Sequence, residues 1–191
     1  MSIFEGLIPG LSITEKPPVF DNRGYFYEKY NKDYLEAHHL SFVQENISMS
    51  QKGTIRGLHW QSYPKAQDKL VTCVYGKVLD IALDLRLSSP TFGFYTSVEL
   101  CEGENKSLLI PKGFAHGFQA LTEEAIISYS VTDEYSFENS HTINPLSPTL
   151  NIKWPIKKKI LSKNDQESLD INDHDESIFF DQSLIPKIEI Q

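Results

Sequence analysis

The segment Arg56-Gly57-Leu58-His59-Trp60-Gln61 carries a side chain suited to proton transfer. Read as an extended strand, it places Gly57, His59 and Gln61 on one face and Arg56 on the other. An unperturbed imidazole titrates near pH ~6.5, which suits base catalysis close to neutrality. A lone histidine in a strand is more often a core residue satisfied by one neighbour, and the segment by itself does not separate the two. A second segment, Ile110 to Phe118, has Pro111, Gly113 and His116 in a Pro-x-Gly-x-x-His spacing. A third, Ala125 to Val131, puts Tyr129 on the face of Ile127 and Val131. A tyrosine in such an apolar strand is usually core, with its hydroxyl finding one partner. A phenol with a pKa of about 10 is neutral at pH 7, so it could also donate a proton.

The elements that must position these groups are mostly strands. Residues 1–30 read as short extended pieces broken by Pro9-Gly10, Pro17-Pro18 and Arg23-Gly24. One short helix is expected over Asn31 to Leu40, with Asn31 or Asp33 near its start. His38 and His39 at its end are given no function. From Phe42 to Val131 the pattern is strands: Lys69 to Tyr75, Val78 to Leu85, Thr96 to Cys101, Lys106 to Ile110, Gly117 to Leu121 and Ala125 to Val131. Gly76-Lys77 predicts a two-residue hairpin turn between the first two. In the second of these, Leu79, Ile81, Leu83 and Leu85 share one face, and Asp80, Ala82, Asp84 and Arg86 the other. Two readings of the polar face stand equal: a solvated surface, or the lining of a ligand cavity. Many short strands at regular spacing predict a mainly β sandwich, jelly roll or barrel. Prolines 145, 148 and 155 follow Asn144 and exclude regular structure in that stretch. The acidic tail, residues 166–191, is loosely patterned around Ile178, Phe179 and Phe180, and could dock on the domain or on a partner subunit or be partly mobile.

The 191 residues fit a single domain over 1–191, with a core barrel at about 20–165. The net charge of -8 argues against nonspecific nucleic-acid binding. It is compatible with a small anionic ligand held by a few local Arg and Lys. No apolar run approaches the ~20 residues that span a bilayer, so no membrane association is expected. The start, Met1 to Gly6, has neither a basic nor an apolar stretch, so no signal peptide is expected. Cys73 and Cys101 lie far apart without metal spacing, and a reducing cytoplasm is the natural reading.

The Pro-x-Gly-x-x-His segment resembles the second metal-binding motif of the cupins. Their first motif has His-x-His, but here Gln61 stands where the second histidine would be. Metal sites usually take three protein ligands or more. The pattern therefore reads as a cupin-like barrel with no metal. From about Phe20 to Asp165 the chain resembles the dTDP-4-dehydrorhamnose 3,5-epimerase family. The matching pieces are Asp21 to Glu28, Gln44 to Ser48, Arg56 to His59, Lys69 to Val71, Asp80 to Arg86, Ser89 to Gly93 and Ile110 to Phe118. Tyr129 to Tyr135, Ile152 to Pro155 and Leu161 to Asp165 follow in the family's order.

That resemblance implies a cupin-like jelly-roll barrel with a few short helices, a homodimer, no metal and no organic cofactor. Its substrate would be a dTDP-linked 4-keto-6-deoxyhexose, inverted at C3, C5 or both through an enolate. His59 would be the general base and Asp165 the carboxylate that orients it and favours its imidazolium. Tyr129 would return a proton on the opposite face, and Lys69 would stabilise the enolate oxygen. Arg56 and Arg23 would meet the diphosphate, Arg23 across the dimer, because a guanidinium fork suits phosphate. Phe26 and Glu28 would meet the base, Gln44 and Asn46 would add hydrogen bonds, and His116 would lie near the sugar. Asp84 has two readings of equal weight: a group behind the site, or an ion pair with Lys69 or Arg86. The departures, Phe137 and Ile143 to Pro148, bear on the choice of sugar and of carbon, not on the proton chemistry. The alternatives are a C3-only or C5-only epimerase, a ketoisomerase on the same barrel, a noncatalytic sugar-nucleotide-binding module and a metal-dependent cupin oxygenase.

Overall fold

The computed structural model describes residues 6–181. Its strands in chain order are β1 (Ser12–Glu15), β2 (Val19–Asp21), β3 (Gly24–Phe26), β4 (Gln44–Gln51), β5 (Ile55–Gln61) and β6 (Lys69–Tyr75). There follow β7 (Lys77–Asp84), β8 (Tyr95–Cys101), β9 (Lys106–Ile110), β10 (Phe114–Ala120), β11 (Glu124–Val131) and β12 (Ser140–Thr142). Helix α1 (Lys32–Ala37) is capped by Asn31, whose side chain accepts from the Tyr34 amide. Helix α2 (Lys163–Glu167) is capped by Ser162, which accepts from the Asp165 amide.

Two five-stranded sheets form a mainly β jelly roll. One has the order β1-β9-β6-β11-β4, the other β12-β5-β10-β7-β8. β2 and β3 form a separate two-stranded hairpin. Pairing begins before Phe20, because Ser12 to Glu15 lie beside Lys106 to Leu109. The inner faces of both sheets meet in a core that includes Val71, Cys73, Val78, Ala82, Leu108, Phe114, Phe118 and Ile127.

A second core lies on the outer face of the sheet that contains β5. Ile55, Leu58, Trp60, Ile81, Leu83 and Leu85 are covered there by Ile143, Leu150, Trp154, Ile171 and Phe179. The tail thus docks on its own domain as far as residue 181; residues 182–191 lie outside the described residues. Phe179 stacks against Trp60, and the Trp60 indole donates to the Ile178 carbonyl. Burying such an aromatic contributes about 3–5 kcal/mol as judged by truncation to Ala.

One local expectation is corrected, and one of two equal readings is excluded. Gly76-Lys77 is not a hairpin turn, since β6 and β7 belong to different sheets. Gly76 instead turns a corner between sheets at φ 71°, where a Cβ would lie 2.3 Å from the Glu124 carbonyl oxygen. The polar face of β7 is also not solvated: Asp80 and Asp84 are fully buried and face the barrel interior. Both faces of β7 are covered, because the C-terminal segment packs over the apolar one.

The β5 strand carries a bulge that decides the site. His59 is opposite His116, but Arg56 is opposite Phe118, so Gly57 and Leu58 together face Gly117. The extra residue resets the alternation. Ile55, Leu58 and Trp60 point outward into the second core, and Arg56 and His59 share the inner face. This overturns the expectation that Arg56 and His59 lie on opposite faces. The bulge requires glycines. Gly57 sits at φ 115°, and a Cβ there would lie 2.6 Å from both Gly117 Cα and the His116 carbonyl oxygen.

Candidate active site

The interior of the barrel opens into a cavity with two halves of about 330 and 320 Å³. His59 and Tyr129 line both. Lys69, Gln44 and Asn46 line the first half, and Arg56, His116 and Asp165 the second. The site is built from facing walls. His59 and His116 come from one sheet and Lys69 and Tyr129 from the other, where β6 and β11 are neighbours.

His59 Nε2 is 2.7 Å from Asp165 Oδ1. Asp165 is delivered by α2 and is buried. Its burial would raise its pKa, but hydrogen bonds from His59, Ser162 and the Gly57 backbone outweigh this and hold it below the ordinary value. An ionised carboxylate on Nε2–H leaves Nδ1 with the lone pair, the tautomer assigned from this network. The bulge thus places His59 and also supplies the Gly57 amide that secures its carboxylate.

Lys69 is buried and donates to the His59 carbonyl at 3.1 Å. Burial pulls its pKa from 10.5 down to about 8, against the opposing attraction of Asp80. Burial pushes the Tyr129 phenol up, with Arg56 acting in the other direction, so the hydroxyl keeps its proton at neutral pH. His116 Nε2 is 2.8 Å from Asp80 Oδ2, and the His116 ring is 6.3 Å from that of Tyr129. Burial raises the Asp80 carboxyl, opposed by His116 and Lys69.

Arg56 is exposed at the mouth, its guanidinium donating to Ser50 Oγ and the Met49 carbonyl. Gln44 donates to Asn46 at 2.8 Å. Gln61, at the position of the missing cupin histidine, is engaged with the Lys65 and Glu134 carbonyls and the Ser136 amide. Among the described residues no group of three or more His, Cys, Asp or Glu is placed to hold a metal ion.

Four of the expected residues lie elsewhere. Arg23 and Phe26 line a separate cleft on the β2–β3 hairpin, where Arg23 is paired with Asp21. Glu28 pairs with Lys16 at 2.8 Å. Asp84 takes two hydrogen bonds from the Arg86 guanidinium and one each from Ser89 and Thr91. Of its two readings, the ion pair with Arg86 is the one present. The carboxylate behind the site is Asp80, which the sequence reading left as one of two on a polar face. Its signal was the alternation of β7, but only the register with β10 brings it to His116. Asn164 and Thr142 also line the cavity and were missed.

The sequence profile described as dTDP-4-dehydrorhamnose 3,5-epimerase matches residues 5–173. The chain belongs to this family. It is an isomerase of the epimerase class with the cupin-like barrel that the resemblance implied. A dTDP-4-dehydrorhamnose 3,5-epimerase of Shigella flexneri is 43% identical over 86% of this chain and 93% of its own. A dTDP-4-dehydrorhamnose 3-epimerase of Streptomyces niveus is 38% identical over 78% of this chain and 73% of its own. Among solved structures, the dTDP-6-deoxy-D-glucose-3,5-epimerase of Legionella pneumophila, in complex with dTDP-4-keto-L-rhamnose, matches with a TM-score of 0.87 and 41% identity. That match covers 93% of this chain and 96% of the other.

Proposed function

We propose that the chain epimerises a dTDP-linked 4-keto-6-deoxyhexose at C3 and C5, with no metal or organic cofactor. The observation that carries this reading is the cavity itself. A histidine paired with a carboxylate faces a protonated tyrosine from the opposite sheet, and a buried lysine lines the same half of the cavity. His59 Nδ1 takes the proton from the carbon beside the ketone. The C–H electrons form the new C=C bond, and the carbonyl electrons move onto oxygen. Lys69 neutralises that enolate oxygen, and the low-dielectric surroundings strengthen the interaction. Tyr129 then gives its proton to the same carbon. Because base and acid project from facing sheets, removal and return on opposite faces of the ring invert the centre. Asp165 holds the imidazolium until its proton is released.

Arg56 takes the diphosphate at the mouth, Gln44 and Asn46 bind nearby, and His116, held by Asp80, lies beside the sugar. Arg23, Phe26 and Glu28 reach the nucleotide of a second copy in a homodimer. That reading is supported by apolar surface on the hairpin and on the edge strand β4: Val19, Phe20, Phe26 and Ile47 are 67–74% exposed. The cytoplasmic reading is supported by the free thiols of Cys73 and Cys101. One domain is supported by the packing of Ile171 and Phe179 against the outer face of the sheet that contains β5.

The test is NMR of dTDP-4-keto-6-deoxyglucose incubated with the enzyme in D2O. Deuterium is expected at both C3 and C5. Uptake at C3 alone establishes the single-centre activity named for the Streptomyces niveus relative, uptake at C5 alone a C5-only epimerase, and no uptake at either removes the proposal.

A further inference from the structure

We infer that residues 171–181 form an acid-released latch on the outer face of β5, with His141 and His174 as its switch. The latch closes on Trp60, the residue after His59. Three rings surround the indole: Phe179 at 6.1 Å between centroids, His141 at 5.2 Å and His174 at 5.6 Å. The indole N–H donates to the Ile178 carbonyl at 3.3 Å. Past Phe179 the chain pairs with the end of β7, where the Phe180 amide donates to the Leu85 carbonyl and the Phe180 carbonyl accepts from the Leu87 amide. The segment is thus fastened at an aromatic cluster and at a short backbone pairing.

The aromatic cluster contains the titratable groups. His141 comes from β12 and His174 from the latch itself, so the two imidazoles meet on one indole from separate parts of the chain. His141 Nε2 has Ser62 Oγ at 2.9 Å. His174 Nε2 is shut off from solvent and has no hydrogen-bond partner among the described residues. A neutral imidazole can leave that nitrogen as a bare acceptor. An imidazolium carries N–H on both nitrogens, and a charge buried with an unmet donor costs far more.

Burial holds both imidazoles below their ordinary pKa, and for His141 the nearby His174 acts the same way. The Thr142 carbonyl, Asp173, Asp170 and the Leu169 carbonyl oppose this at His174. Asp170 is already engaged by Ser147 and the Asn172 amide. β5 presents Trp60 to the pair, and Phe92 packs against Phe179; neither is charged. The sign follows. Above an ordinary histidine pKa of 6.5 the docked and released forms are both neutral, and docking carries no cost of ionisation. As pH falls below that value, the released segment takes up protons that the docked one resists, and docking weakens until pH passes the lowered values. Release uncovers the outer face of β5 directly behind the histidine of the site.

Hydrogen exchange of the full chain, read by mass spectrometry at pH 7.5 and 5.5 and corrected for the intrinsic pH dependence of exchange, tests this in wild type and in His141→Phe/His174→Phe. In wild type, peptides within residues 171–181 are expected to lose protection about 5-fold or more at pH 5.5, while β10 keeps its own. The double variant is expected to hold the latch equally at both pH values. Should its two new rings not pack, His174→Asn alone, which cannot titrate, is expected to shrink the pH response. A wild-type latch equally protected at both pH values, or a response undiminished in the variants, overturns the inference. Loss of protection in β10 together with the latch marks acid unfolding of the whole barrel and overturns it as well.

Discussion

Replacing Lys69 by methionine is expected to stabilise the fold while abolishing turnover. Lys69 is buried at the wall of the cavity, and burial takes its pKa from 10.5 to about 8. At about 1.4 kcal/mol per unit, the charge costs the folded state about 3 kcal/mol. Below pH 8 the amine is protonated both folded and unfolded, so the whole cost is present at pH 7. Between 8 and 10.5 the folded form releases its proton first, and the cost fades as pH rises; above 10.5 both forms are neutral and it is gone. Methionine has a similar length and no charge. Lys69→Met should therefore gain about 2–3 kcal/mol at pH 7, a rise in Tm of about 4–12 °C for a chain of this size. Urea unfolding at pH 7 and pH 9.5, beside a turnover assay, checks both halves. A variant less stable than wild type at pH 7, or a gain that does not shrink at pH 9.5, refutes the argument that function holds a costly charge in the core.

The same lysine is expected to set the alkaline limb of activity. In the proposed role it acts as a cation, so kcat should fall as pH rises through about 8, read from a pH–rate profile. Tyr129→Phe should keep removal of the proton but lose its return from the second face. NMR in D2O should then show deuterium uptake without inversion, with product formation down about 10²-fold or more.

The strands from β6 to β11 were legible because alternating apolar residues and turn signals mark them plainly, but their order in the sheets was not. The roles of His59, Lys69, Tyr129 and Asp165 came from motifs in a recognisable order, since residues 106 apart in the chain, as His59 and Asp165 are, leave no local trace of contact. What failed was alternation where a residue is added. Gly57 and Leu58 oppose one residue, and a strict period of two then misplaces Arg56. A bulge of this kind is visible only in the register, as is the burial of Asp80. The turn at Gly76 failed for a related reason: a glycine at positive φ serves a corner between sheets as well as a hairpin. Arg23, Phe26 and Glu28 lie away from the cavity, and the neighbours proposed for them belong to a second copy of the chain.

The central claim is that His59 removes the proton. Deuterium uptake into dTDP-4-keto-6-deoxyglucose from D2O, measured for wild type and His59→Ala at equal enzyme concentration, tests it most directly. The account predicts rapid uptake with wild type and a loss of about 10²–10⁴-fold with the variant, while dTDP binding is retained. Uptake by His59→Ala at the wild-type rate would contradict it and assign the base to another residue.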